Sequence, residues 1–89
     1  MPIRVLLADD HEPVRRAIQT LLRVDPAIQI IADTEDLNQT LRATTELNPE
    51  VVVMDLDMLK RHNIEITQAT SLVAKAIPKL IAISFANDE

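Results

Sequence analysis

The segment "VVVMDLDML", residues 51–59, decides the reading of the fold. Three β-branched residues and a methionine make a run short and branched enough for a buried strand. Such a run has apolar side chains on both faces, which is what a strand inside a parallel sheet needs, because helices cover both its sides. It ends directly in Asp55, and Asp57 follows after one residue. Parallel α/β sheets place ligand sites outside the carboxyl ends of their strands, so the acid stands where chemistry is expected.

The same pattern repeats on either side. Residues 3–9, IRVLLAD, form a second short apolar run ending in acid, here Asp9-Asp10. Pro13 follows where a first helical turn tolerates proline. Val14, Ala17, Ile18, Leu21 and Leu22 then fall at the spacing of an amphipathic helix, which Asp25-Pro26 ends. Residues 27–32, AIQIIA, read as another strand. Thr34, Glu35 and Asp36 look like a helix start. Leu37, Leu41, Thr44 and Leu47 line one face of that helix, and Asn48-Pro49 stops it. The third strand is 51–54. Ile66, Ala69, Thr70, Val73, Ala76 and Ile77 trace a third helix closed by Pro78, and 79–84, KLIAIS, read as a fourth strand.

The order βαβαβαβ predicts an α/β fold with a doubly wound parallel sheet and right-handed crossovers. No internal repeat, linker or low-complexity tract interrupts it. With 89 residues and 47% hydrophobic content, one small domain is expected. A formal net charge of −5, one Phe and no Trp or Tyr argue against direct nucleic-acid contact by this segment. The absence of glycine excludes a dinucleotide fingerprint and a Walker-type phosphate loop. No stretch has the apolar length of a membrane span or the pattern of a signal peptide. The lack of cysteine fits the cytoplasm.

The strand ends gather the candidate site residues: Asp9 and Asp10, Asp55 and Asp57, and Ser84. Asp33, at the end of the second strand, reads as a turn or cap. Clustered carboxylates repel one another, and a hard divalent ion such as Mg²⁺ relieves this. A carboxylate beside a metal can also be a nucleophile toward phosphorus. The competing reading is that Asp9 or Asp10 merely caps the first helix. His11 and His62 read as surface polar residues, with a ligand role for His11 the alternative; Arg15 and Arg16 read as the exposed face of the first helix, with contact to a kinase or the phosphate the alternative; Met54 reads as core and Met58 as a loop anchor.

"RVLLADDHEPVRRAIQTLL", "PEVVVMDLDM" and "KLIAIS" resemble the receiver domain of two-component response regulators, most of all those preceding a LuxR-type helix-turn-helix. The resemblance implies a flavodoxin-like sheet of order 2-1-3-4-5, hence 2-1-3-4 for the strands found here. It implies phosphotransfer from a histidine kinase onto Asp55 and a Mg²⁺ site. That site would comprise Asp10, Asp55, the backbone carbonyl of Asp57, and Asp9 through a water. Ser84 would be the switch hydroxyl. Residues 1–89 would form a partial receiver lacking the family's last helix, strand and helix. The family lysine lies in that part, so no residue here takes its role; Lys75 and Lys79 fall at or before the start of strand four. No glycine follows Asp55, and Phe85 stands where a small residue is usual. An open strand edge further suggests a marginal monomer or a homodimer through strand edges or helices.

Other readings stay open. A degenerate receiver would work by protein contact without phosphate. "VVVMDLDM" also fits the strand motif of haloacid-dehalogenase-type phosphatases, with Asp55 as nucleophile and Asp57 as acid/base, although that reading leaves Asp9-Asp10 without a purpose. A plain interaction module would use its acids only as helix caps.

Overall fold

A computed structural model describes residues 2–55, 57–58 and 79–83. The expected third helix, the Lys60-Arg61-His62 segment and Ser84 lie outside the described residues. The elements are β1 (Ile3–Ala8), α1 (Glu12–Leu22), β2 (Ile28–Thr34), α2 (Leu37–Leu47), β3 (Val51–Asp55) and β4 (Lys79–Ile83). The strands form one sheet in the order β2-β1-β3-β4, and every pairing is parallel. This is the order expected for the doubly wound fold. No described helix is long and apolar enough to cross a membrane.

Alternation along the strands divides the core between two faces. On the face toward α2, Leu6, Ala8, Val52, Met54 and Met58 form a cluster, with Ala32, Leu37, Leu41 and Ala43 packed against it. Val5 and Leu7 point to the other face, and Ile18 is the buried residue of α1. Leu6 and Leu7 are both fully buried, one to each side, and each contributes roughly 1.5–3 kcal/mol.

The pairing of β1 with β2 shifts register between Val5 and Leu6: Val5 lies opposite Ile30, but Leu6 lies opposite Ala32. Ile31 is the extra residue. A bulge of this kind reverses which face the following residues meet. Asp33 is thereby aimed at α1 and Thr34 at α2. Thr34 Oγ1 lies 2.7 Å from Thr40 Oγ1, which donates its own proton to Asp36 O at 2.7 Å. Thr34 must therefore be the donor in the pair. Thr44 Oγ1 donates in turn to Thr40 O.

Both helices sit differently from the stripes expected of them. On α1, Val14, Arg15, Ile18, Gln19 and Leu22 are wholly or partly buried, whereas Ala17 is exposed and Leu21 is 71% exposed. The helix is turned so that two polar side chains face inward. Arg15 Nε lies 3.5 Å from Asp33 Oδ1, and Gln19 Nε2 donates to Asp33 Oδ2 at 2.8 Å. Asp33 is therefore an anchor for α1 rather than a cap, and Arg15 is not on the exposed face. Arg16 is, paired with Glu12 at 2.9 Å. On α2 the fully buried positions are Thr40 and Thr44, and Leu47 is exposed. Asp36 is the N-cap, its Oδ1 accepting from Gln39 N at 2.8 Å.

The C-terminus of α2 shows how a chain without glycine turns. Asn48 adopts φ 50°, the left-handed conformation, and donates its N–H to Thr44 O. Asparagine tolerates this region better than other residues with a Cβ. No basic residue occupies the helix's last turn, but Arg4 of β1 supplies one. Its Nη1 and Nη2 donate to Asn48 O at 2.8 Å and Leu47 O at 2.7 Å. The guanidinium so satisfies two carbonyls at the negative end of the helix. Replacing Asn48 by Ala should destabilise the fold by about 1 kcal/mol, and replacing it by Gly should not. Urea denaturation of the two variants checks this.

Candidate functional site

The register of the central strands creates the site. Ala8 lies opposite Met54, so the residues that follow them, Asp9 and Asp55, emerge side by side at the carboxyl end of the sheet. Asp9 N donates to Thr34 O at 3.0 Å, extending the ladder one residue past β1. The chain then turns through Asp10 and His11 into α1. Carboxylate oxygens of Asp9, Asp10 and Asp55 and a ring nitrogen of His11 all lie within 4.8 Å of one another. Asp9 is fully buried and Asp55 is 5% exposed. Asp10 is half-buried, and His11 is largely exposed.

Each acid is held in a defined way. Asp9 Oδ1 accepts from His11 N at 2.8 Å, and Asp9 O accepts from Arg15 Nη1 at 2.7 Å. Asp9 Oδ2 is buried with no hydrogen-bond partner among the described residues. Asp10 Oδ1 lies 3.3 Å from His11 Nδ1. Asp55 Oδ1 accepts from Asp57 N at 3.0 Å, a bond that leads into the helical residues Asp57 and Met58. Met58 is fully buried in the core cluster, an anchor as expected, but in helical conformation rather than in a loop.

The capping explanation accounts for little of this. His11 is the N-cap of α1 and makes no side-chain capping bond. The bond from Asp9 goes to the amide of His11 itself, ahead of the helix's first turn, and leaves Oδ2 unsatisfied. A buried carboxylate oxygen without a donor is costly unless a cation or proton meets it.

Electrostatics point the same way. Burial pushes the Asp55 carboxyl above its ordinary value of 3.8. The Asp57 N–H opposes this by favouring the charged form, and the negative charges of Asp9, Asp57 and Asp10 add to the rise.

Of the residues expected at the site, Asp9, Asp10 and Asp55 come together. Asp57 reaches it through its backbone, and its carboxylate is not one of the clustered groups. β4 runs parallel to β3 with Ile83 opposite Asp55 and Lys79 opposite Val51. Lys79 thus begins its strand at the far end of the sheet, about 13 Å of strand away from Asp55. Arg15 escaped the sequence reading because Leu21 and Ala17 outweigh it on any hydrophobic criterion. The available signal was its position one turn before Gln19, a polar pair flanking Ile18.

Comparison with known proteins decides the family. A family model for the response regulator receiver domain matches residues 5–89. The chain is a response regulator receiver domain. Its relatives include the transcriptional regulatory protein LiaR of Bacillus subtilis, 39% identical over 90 aligned residues, an alignment covering 98% of this chain and 41% of LiaR. Among solved structures, the response regulator domain of Thermotoga maritima CheB is 27% identical with a TM-score of 0.78, covering 94% of this chain and 61% of that one. A LuxR-family two-component response regulator from Aurantimonas sp. has the same fold, with a TM-score of 0.80 at 24% identity, covering 98% of this chain and 61% of that one. The chain spans less than half the length of LiaR.

A carboxyl whose folded value is raised binds its proton more tightly in the folded chain than in the unfolded one. The Asp55 contribution to receiver stability is therefore most favourable below pH 3.8 and is lost as pH rises through the elevated folded value. In metal-free buffer at pH 7, Asp55→Asn should raise the thermal midpoint. The two melting curves should converge below pH 3.8.

Proposed function

We propose that this receiver is a Mg²⁺-dependent phosphoacceptor that takes a phosphoryl group onto Asp55 from the phosphohistidine of a sensor histidine kinase. The observation that carries the reading is the convergence of Asp9, Asp10 and Asp55 within 4.8 Å, with Asp9 Oδ2 buried and unsatisfied. An oxygen-rich, negatively charged cluster of this kind fits a hard divalent cation. Asp10, Asp55 and the Asp57 backbone carbonyl would hold Mg²⁺, with Asp9 acting through a water. When bound, Mg²⁺ offsets the repulsion among the acids and the charge on the transferred phosphoryl oxygens.

The chain's own residues set up the transfer. The Asp57 N–H fixes the rotation of the Asp55 carboxyl and favours its ionised form, which the reaction requires. A carboxylate oxygen of Asp55 attacks phosphorus, and the P–N bond to the donor imidazole breaks. The imidazole leaves with its electron pair and takes up a proton, and Asp55 is left as an acyl phosphate. Water later hydrolyses that bond and releases inorganic phosphate. Ser84 follows Ile83, which the sheet register sets beside Asp55, and supplies the switch hydroxyl in this reading. The domain acts as a receiver and not as an enzyme on a separate substrate. Its output is transcriptional, through a LuxR-type region of a longer product, and a second copy of the chain pairs with it through a strand edge or helices. LiaR's standing as a transcriptional regulatory protein supports that output.

Incubation with acetyl phosphate and Mg²⁺ should add one phosphoryl group by intact mass, and Asp55→Asn should abolish the adduct. Asp10→Asn should slow its formation by at least about tenfold, and chelation of Mg²⁺ should prevent it. A folded, Mg²⁺-loaded chain that forms no adduct with acetyl phosphate or beryllofluoride would instead indicate a receiver that works by contact alone.

A further inference from the structure

We propose that Arg15 is a positioning residue for the carboxylate site, fixing the Asp9 peptide while Asp33 cancels its charge. This rests on the Mg²⁺-binding receiver reading given above. Arg15 lies on α1, six residues after Asp9, and its side chain is only 11% exposed. Its Nη1 donates to the Asp9 carbonyl at 2.7 Å, and its Nε faces Asp33 Oδ1 at 3.5 Å. Gln19 holds the other oxygen of Asp33 at 2.8 Å. One planar guanidinium thus ties the start of the acidic loop, the first helix and the end of β2 together.

Three features suit this arrangement to positioning. First, the Asp9 peptide is fixed from three sides: its N–H by Thr34 O, its carbonyl by Arg15, and its Oδ1 by the His11 N–H. These bonds aim the unsatisfied Oδ2 and set the direction in which Asp10 leaves the strand. Second, an unopposed cation this near would repel a divalent metal. The Asp33 carboxylate removes most of that cost, leaving Arg15 in effect a dipolar donor. Third, the helix gives up apolar burial to make the contact, since turning Arg15 and Gln19 inward leaves Leu21 71% exposed. The Ile31 bulge is what points Asp33 at the helix, so this irregularity of the β1–β2 pairing serves the same contact.

Positioning and simple charge predict opposite signs, which makes the inference testable. Arg15→Gln leaves the rim one unit more negative, so charge alone should tighten Mg²⁺ binding. Loss of positioning should weaken it by about tenfold, the lower end of what removing a partner of a metal ligand costs. Arg16→Gln makes the same charge change one residue away, on a side chain that is 75% exposed and paired only with Glu12 among the described residues, and should alter affinity by less than about twofold. Mg²⁺ titration by calorimetry on the intact chain measures both, with folding checked by circular dichroism. In Arg15→Gln, hydrogen exchange at the His11 amide should quicken while exchange in β1 and β3 stays unchanged. If Arg15→Gln does not fold, Arg15→Lys carries the test, since it keeps the charge but cannot span both oxygens, and it should also weaken binding. Equal or tighter Mg²⁺ binding by Arg15→Gln, or by Arg15→Lys in its place, overturns the positioning role and leaves the receiver reading intact. A wild-type chain that binds no Mg²⁺ overturns both.

Discussion

Parallel pairing of β1 with β3, with Ala8 set opposite Met54, brings Asp9 and Asp55 out of the sheet beside each other. Nothing in that alignment favours two buried like charges, and Asp10 adds a third nearby. The sheet can hold them because its interior is built from residues with no such conflict. Leu6, Leu7, Val52 and Met54 are fully buried immediately behind the acids. Their burial stabilises the strands whether or not the site is satisfied, so the strain is confined to one rim. Burial first, and the neighbouring charges of Asp9, Asp57 and Asp10 after it, push the Asp55 carboxyl upward at that rim.

The sheet was legible in the sequence because each strand is a short apolar run bounded by acid or proline, and a parallel order constrains where such runs end. Asp9, Asp10 and Asp55 were legible for the same reason. What escaped depends on a single residue's worth of backbone. The Ile31 bulge has no compositional mark, yet it decides that Asp33 meets α1 and that Thr34 meets Thr40. A hydrophobic stripe cannot reveal a helix rotated toward a carboxylate, because it counts Leu21 and Ala17 and ignores Arg15 and Gln19. On α2 the buried positions are threonines whose hydroxyls find partners within the helix and in β2, so polarity in the sequence concealed burial in the fold.

The lack of glycine is met by side chains that do what a bare backbone does elsewhere. Asn48 takes the left-handed position after α2, and Arg4 reaches across from β1 to hold the carbonyls left there. After β3, Asp55 receives the Asp57 amide and Met58 drops into the core. The turn at the site is therefore stabilised by the same carboxylate that is proposed to react. A tight structural bond to Asp55 Oδ1 holds the carboxyl at one rotation, which lowers the entropy to be lost on reaching the transition state.

Charge balance at the rim then limits how the proposed chemistry can proceed. Three carboxylates face one another, the neighbouring guanidinium is neutralised by Asp33, and Lys79 starts its strand at the opposite end of the sheet. Adding a phosphoryl group to Asp55 increases the negative charge at the same place. By reciprocity, a cation that binds the phosphorylated cluster more tightly than the resting one would favour phosphorylation by the same factor.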